Sequence, residues 1–180
     1  MTAAFAPRPS GLARRSVALV QGEHRVGRDP SEVLTTVLGS CVATCLYDPQ
    51  RRVGGMNHFL LPDGGDGAGD RTRYGLHAME LLINALLRAG ARRGALVAKL
   101  FGGARMRDGF GGIGVANAEF ARRFLAEEGI PLITSSLGGD RARRLRFWPT
   151  TGHAQQMLLD RSRTVAVAAP RPTTEDVVFF

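Results

Sequence analysis

The chain has 180 residues, 44% hydrophobic and 22% charged, a balance that excludes a disordered or fibrous protein and suffices for one domain with its own apolar core. No apolar run reaches the roughly 18 residues of a membrane-spanning helix, so the expectation is a single soluble, cytoplasmic domain without membrane insertion. The formal charge of +8, from 24 basic against 16 acidic side chains with Lys99 the one lysine, suits an acidic protein partner or an arginine-biased coding sequence. Nucleic acid is not expected as a partner, because neither interleaved aromatics nor a known binding motif accompanies the charge.

Residues 1–14 hold two prolines and no continuous apolar stretch ending at a small-residue cleavage site, which reads as a flexible tail rather than an export signal. The domain is expected over 15–168, with a second tail over 169–180. Four strands open it: SVALVQG at 16–22, EVLTTVLG at 32–39, CVATCLYD at 41–48 and VGGMNHFLLP at 53–62. Each is a short β-branched or apolar run bounded by Gly, Asp or Pro, and the DPQRR segment between the last two predicts a hairpin. DGGDGAGD at 63–70 has the composition of a loop, and its aspartates match no calcium-loop spacing.

A helix is predicted over 73–89 from the stripe of Met79, Leu82, Ile83, Leu86 and Leu87, closed by Gly90. A second is predicted over 118–128, with Asn117 capping its start and Gly129 and Pro131 ending it. GALVAKLFGGA between the helices reads as a buried strand, and PLITSSLGG, RRLRFWPTTG and HAQQMLLD follow as further strands. The arginine run at 140–147 reads as a solvated strand face. No repeat of fixed period is present. The expected class is α/β, a single-domain sandwich of mostly antiparallel strands flanked by two main helices.

Both cysteines fall in the third strand. Four strand residues span roughly 13 Å, too far for a mutual disulfide, and Cys-x3-Cys without a second ligand pair does not make a structural zinc site. No metal and no cofactor are expected. Cys45 reads as core. Cys41 follows Gly39 and Ser40, two small residues that leave its approach open to a bulky substrate, and reads as a candidate nucleophile.

A thiol at its ordinary pKa is only slightly ionised at neutral pH and needs a base. Of the four histidines, His24 lies near the domain edge, His77 in the first turn of the first helix and His153 in a late turn. His58 lies on the strand expected to pair with that of Cys41, about as far beyond the hairpin turn as Cys41 lies before it, so the register brings the two together. A hydroxyl that holds the second imidazole nitrogen completes the constellation. Thr35 and Thr36 are the candidates, although Thr35 in a straight strand would be about 20 Å from Cys41.

TTVLGSCVATCLYDP, GGMNHFLLP, AKLFGGARM and SSLGGDRARRLRFWPTTG, in that order and spacing, resemble the CheD family, the chemoreceptor glutamine deamidases of bacterial chemotaxis. The resemblance runs from about residue 15 to residue 160. It implies a Cys-His-Thr hydrolase site on Cys41, His58 and Thr35, with Gly39 and Ser40 at the substrate approach and the oxyanion. It also implies a fold related to the catalytic domains of deamidating bacterial toxins. Implied as partners are the cytoplasmic domain of methyl-accepting chemotaxis receptors, whose glutamines would be converted to glutamate, and a chemotaxis phosphatase. The segment GGDRARR, with Ala142 before Arg143, departs from the Gly-Arg pairing associated with many members. The alternatives are a non-catalytic adaptor that docks the same partners, and a cysteine protease or transglutaminase sharing the Cys-His pair.

Overall fold

The computed structural model describes residues 15–62, 68–105, 112–160 and 177–180. In chain order the elements are β1 (Arg15–Ala18), β2 (His24–Gly27), β3 (Glu32–Leu38), β4 (Val42–Asp48), β5 (Val53–Asn57), α1 (Ala68–Arg88), β6 (Val97–Gly102), α2 (Ile113–Glu127), β7 (Leu132–Leu137), β8 (Arg143–Trp148), β9 (His153–Leu158) and β10 (Val177–Phe179), with a 3-10 turn at Arg93–Ala95. The strands form two five-stranded sheets, ordered β1-β3-β8-β9-β10 and β2-β5-β4-β6-β7. Among the described strands, the β1–β3 and β6–β7 pairs are parallel and the rest antiparallel. The class is therefore α/β, with two helices and two mixed, mostly antiparallel sheets.

Side-chain alternation along β4 explains the layering. Val42 and Leu46 point one way, into a core with Met79, Leu82 and Leu86 of α1 and Phe120 and Phe124 of α2. Ala43 and Cys45 point the other way, into a core with Leu34 and Leu38 of β3 and Leu145 and Phe147 of β8. The second sheet is thus covered by helices on one face and by the first sheet on the other. That is why CVATCLYD is apolar on both faces rather than alternating.

The hairpin expected around 48–52 forms: β4 and β5 pair antiparallel with Cys45 opposite Met56 and Asp48 opposite Val53. Asp48 is fully buried, and its carboxylate accepts the backbone N–H groups of Gln50, Arg51 and Arg92 and the Nε–H of Arg92. Gly90 and Gly129, at φ 96° and 65°, close the two helices in the left-handed conformation expected of them.

Several boundaries differ from the sequence expectation. The first strand ends at Ala18, and residues 19–23 turn back to lead into β2, whose polar sequence HRVG carries no strand signal and is held by pairing with β5. α1 begins at Ala68, inside the glycine-rich stretch read as loop; residues 63–67 lie outside the described residues. α2 begins at Ile113, so Asn117 is a buried residue inside the helix and not its cap. The C-terminal residues read as tail contribute β10, and Phe180 packs edge-on against Phe101 at 5.5 Å between ring centroids. Arg143, expected on a solvated face, is buried. Its guanidinium donates to the carbonyls of Ser136 and Gly138 and to Ser136 Oγ, which makes it a brace for the Gly138–Gly139 turn.

Asp48→Ala removes the buried acceptor of four hydrogen bonds from the exposed residues Gln50, Arg51 and Arg92, and is expected to cost about 2 kcal/mol, read as a lowered urea midpoint at unchanged m-value.

Candidate active site

Cys41 sits immediately before β4, and the backbone around it is fastened from three sides. Its carbonyl accepts the Gly103 N–H at 2.8 Å, and the Gly39 carbonyl accepts the Ala104 N–H at 2.8 Å. The Ser40 carbonyl accepts Nδ2–H of Asn117 at 2.9 Å, while Oδ1 of Asn117 accepts the Leu61 N–H at 2.8 Å. One buried amide on α2 thus ties the approach to Cys41 to the segment just after His58. Gly102 is required here: its φ is 114°, and a Cβ would run into the Cys41 carbonyl oxygen.

The β4–β5 register continues past the ends of the strands through a bridge between Val42 and Phe59, so His58 lies opposite Ala43. Cys41 and His58 therefore share a face of the sheet, one diagonal step apart, a separation of about 7 Å between backbones. That face is the one carrying Ala43, Cys45 and Met56 toward the first sheet. Both candidates expected from sequence are brought together at the end of the inter-sheet core.

The hydroxyl that bonds the imidazole is that of Thr36. Thr36 Oγ1 lies 2.8 Å from His58 Nδ1 and 2.8 Å from the Leu19 carbonyl oxygen. Along β3, Leu34, Thr36 and Leu38 are buried toward the second sheet, whereas Thr35 has the opposite parity and is only half-buried. Thr35 lines a shallow depression of about 370 Å³ that also touches Thr36, Gln21 and His58, but no bond joins it to the imidazole. β3 is apolar on both sides, with Val33 and Val37 flanking Thr35 and Leu34 and Leu38 flanking Thr36, so its alternation does not select Thr36 from the sequence. Nothing in the sequence pointed to Gln21, whose Oε1 accepts the Cys41 S–H at 3.6 Å, or to the Asn117 clamp.

These contacts set the histidine's tautomer. Thr36 has one hydroxyl hydrogen, and the Leu19 carbonyl can only accept. The hydroxyl donates to Leu19 and accepts the hydrogen of Nδ1–H, leaving the lone pair on Nε2. Nε2 is buried and has no hydrogen-bond partner among the described residues.

Burial pushes the His58 imidazole below its ordinary value of 6.5, against the smaller opposing pull of the Leu19 carbonyl and the Glu23 carboxylate. Burial likewise pushes the Cys41 thiol above its ordinary 9.0, partly offset by its own backbone N–H. The resting pair is neutral thiol and neutral imidazole. Cys45 is fully buried and its thiol is pushed far up, as a core residue. His153 packs on Trp148, and His58 is the histidine on the wall of the depression. Among the described residues no group of three or more potential metal ligands gathers, and no helix is long and apolar enough to cross a membrane.

The chain is similar to known proteins. The family model described as CheD chemotactic sensory transduction matches residues 60–157. A protein of Agrobacterium fabrum named "Probable chemoreceptor glutamine deamidase CheD" is 52% identical over 93% of this chain and 98% of its own length. Proteins of the same name from Caulobacter vibrioides and Rhizobium leguminosarum bv. trifolii are 59% identical, over 79% of this chain and 78% of that protein, and 52% identical, over 94% and 98%. Among solved structures, the Bacillus licheniformis hypothetical protein YfiH aligns at a TM-score of 0.41 and 18% identity over 63% of this chain and 49% of that one.

Two outcomes follow from the burial of the thiols and the imidazole. A maleimide or iodoacetamide should modify one cysteine, Cys41, in the native protein and both after unfolding, counted by intact mass. Because His58 takes up its proton at lower pH when folded, the stability of its neutral form is complete above about 6.5 and is lost as pH falls through the lower folded value. Urea unfolding at pH 7.5 and 5 should therefore show a larger loss for the native protein than for His58→Gln.

Proposed function

Since the chain belongs to the CheD family, we propose that it is a protein-glutamine deamidase acting on chemoreceptors, with Cys41 as nucleophile, His58 as acid and base, and Thr36 as the residue that positions His58. The observation that carries this is the unpaired lone pair of His58 Nε2, fixed by the Thr36 bond on the face it shares with Cys41.

The reaction follows from those atoms. Nε2 takes the Cys41 S–H proton, and the thiolate attacks the side-chain carbonyl carbon of a receptor glutamine. The backbone N–H of Cys41 stabilises the negative charge on the tetrahedral oxygen, a contribution of about 3 kcal/mol for such donors. As the C–N bond breaks, ammonia leaves with the proton from Nε2–H. A water then gives its proton to Nε2 and attacks the thioester, releasing glutamate and returning the proton to sulfur. The low basicity that burial imposes on His58 suits the second role of each cycle, since an imidazolium that holds its proton weakly gives it up to the leaving amine.

Gly39 and Ser40 leave room for a glutamine presented on a helix. The positive net charge of the chain, +8, complements a glutamate-rich receptor surface and favours encounter. On this reading the sandwich and its Cys-His pair are of the same type as the catalytic domains of deamidating toxins, the protein works in the cytoplasm, and a chemotaxis phosphatase competes for the same face.

The test is peptide mass spectrometry of a purified chemoreceptor cytoplasmic fragment incubated with the protein. A gain of about one dalton at defined glutamines is expected, absent with Cys41→Ala and His58→Ala. Thr36→Val should lower kcat by about a hundredfold, within the range for misplacing a general base, and Thr35→Val by far less. Binding of the fragment without any mass gain would replace the deamidase by an adaptor; chain cleavage or amine incorporation would indicate the protease or transglutaminase alternative.

A further inference from the structure

The nucleophile proposed above already faces a carboxamide, and that carboxamide belongs to the protein. Cys41 Sγ donates to Oε1 of Gln21 at 3.6 Å. The turn that carries Gln21 is built to stay in place. Val20 N–H donates to the Glu23 carboxylate at 2.9 Å, and Glu23 N–H donates back to the Val20 carbonyl at 3.1 Å. Gly22, at φ 89°, supplies the left-handed residue of the turn. The turn is also strapped to the histidine itself: Gly22 N–H donates to the His58 carbonyl at 2.7 Å, and His58 N–H donates to the Glu23 carbonyl at 3.0 Å. Gln21 therefore moves with His58 as one unit, while its own side chain is exposed and can rotate without disturbing any of these backbone bonds.

We propose that Gln21 is an internal stand-in for the substrate glutamine: its carboxamide occupies the place of the scissile amide, holds Cys41 as a neutral thiol, and is displaced when a substrate carboxamide enters. The proposal rests on the reading of Cys41 as nucleophile. Three observations carry it. The group that meets the sulfur has the same chemistry as the group to be hydrolysed. The S–H hydrogen is engaged by Oε1 and Nε2 of His58 is unpaired, so in this arrangement the proton has not been offered to the base and no thiolate forms. The depression beside the site has His58, Thr36 and Gln21 on its walls but not Cys41, so Gln21 is the residue that touches both the depression and the sulfur. A substrate that brings its own carboxamide replaces one amide hydrogen bond by another, so displacement costs little for a glutamine and more for a group unable to make that exchange.

The experiment compares the wild-type chain with Gln21→Ala and Gln21→Glu. Iodoacetamide alkylation of Cys41 at pH 7.5 should be about fivefold faster in Gln21→Ala, the equivalent of one hydrogen bond of ~1 kcal/mol, and slower than wild type in Gln21→Glu, where a carboxylate beside the sulfur opposes the thiolate. On the receptor fragment, Gln21→Ala should lower KM by a similar factor while changing kcat less. An alkylation rate in Gln21→Ala equal to or below that of wild type overturns the proposal. So does a one-dalton gain at Gln21 in the wild-type chain that is missing from Cys41→Ala, because Gln21 would then be a substrate and not a stand-in. If the wild-type chain leaves the receptor fragment unchanged, the deamidase reading fails, and the alkylation rates still decide what Gln21 does.

Discussion

The bond between Thr36 Oγ1 and His58 Nδ1 crosses from one sheet to the other, and the orientation of the imidazole depends on it. Thr36 is delivered by β3 of the first sheet, His58 by the segment after β5 of the second, and the two meet only because the sheets pack face to face. The Leu19 carbonyl accepts the threonine hydroxyl hydrogen, which forces the imidazole hydrogen onto Nδ1 and leaves Nε2 as an acceptor. An apolar side chain at position 36 would leave the imidazole only the Leu19 carbonyl as a partner on that side.

Backbone rather than side-chain packing holds the sulfur in place. Cys41 is pinned through its own carbonyl and through those of Gly39 and Ser40, with Gly102 where the two segments press together and Gly103 where the chain passes Gly114 of α2. Asn117 joins this clamp to the Leu61 amide, so α2 contributes to the site without placing a side chain in it. The same economy appears at Arg143, buried and spent on the Ser136 and Gly138 carbonyls. One arginine of a run that reads as solvated surface is thus a structural brace.

The surroundings of the site combine an apolar rim with positive charge. Val20 and Val37 are 63% and 49% exposed and stand on the walls of the depression together with Arg144. Exposed branched side chains beside a half-buried cysteine and a buried histidine form an apolar rim suited to contact with a macromolecule. In the free protein, desolvation keeps both partners uncharged.

Much of this was legible in the sequence, and the divide is physical. Periodicity of 2 and 3.6 located most strands and both helices, because burial of one face imposes those repeats. Small residues before Cys41 and the hairpin register were enough to pair it with His58, since both are local consequences of one antiparallel turn. The strand β2, the C-terminal β10, the internal place of Asn117 and the buried Arg143 carried no local signal, because each is held by partners distant in the chain. The choice between adjacent threonines belongs to the same class: either can sit in a strand, and only the second sheet decides which one faces the histidine. By itself the sequence determined the α/β class and the juxtaposition of Cys41 with His58, which rest on composition and near-neighbour spacing. Which hydroxyl sets the tautomer, and which carboxamide rests on the sulfur, were decided by the packing of the two sheets and the turn across them, contacts between residues far apart in the chain.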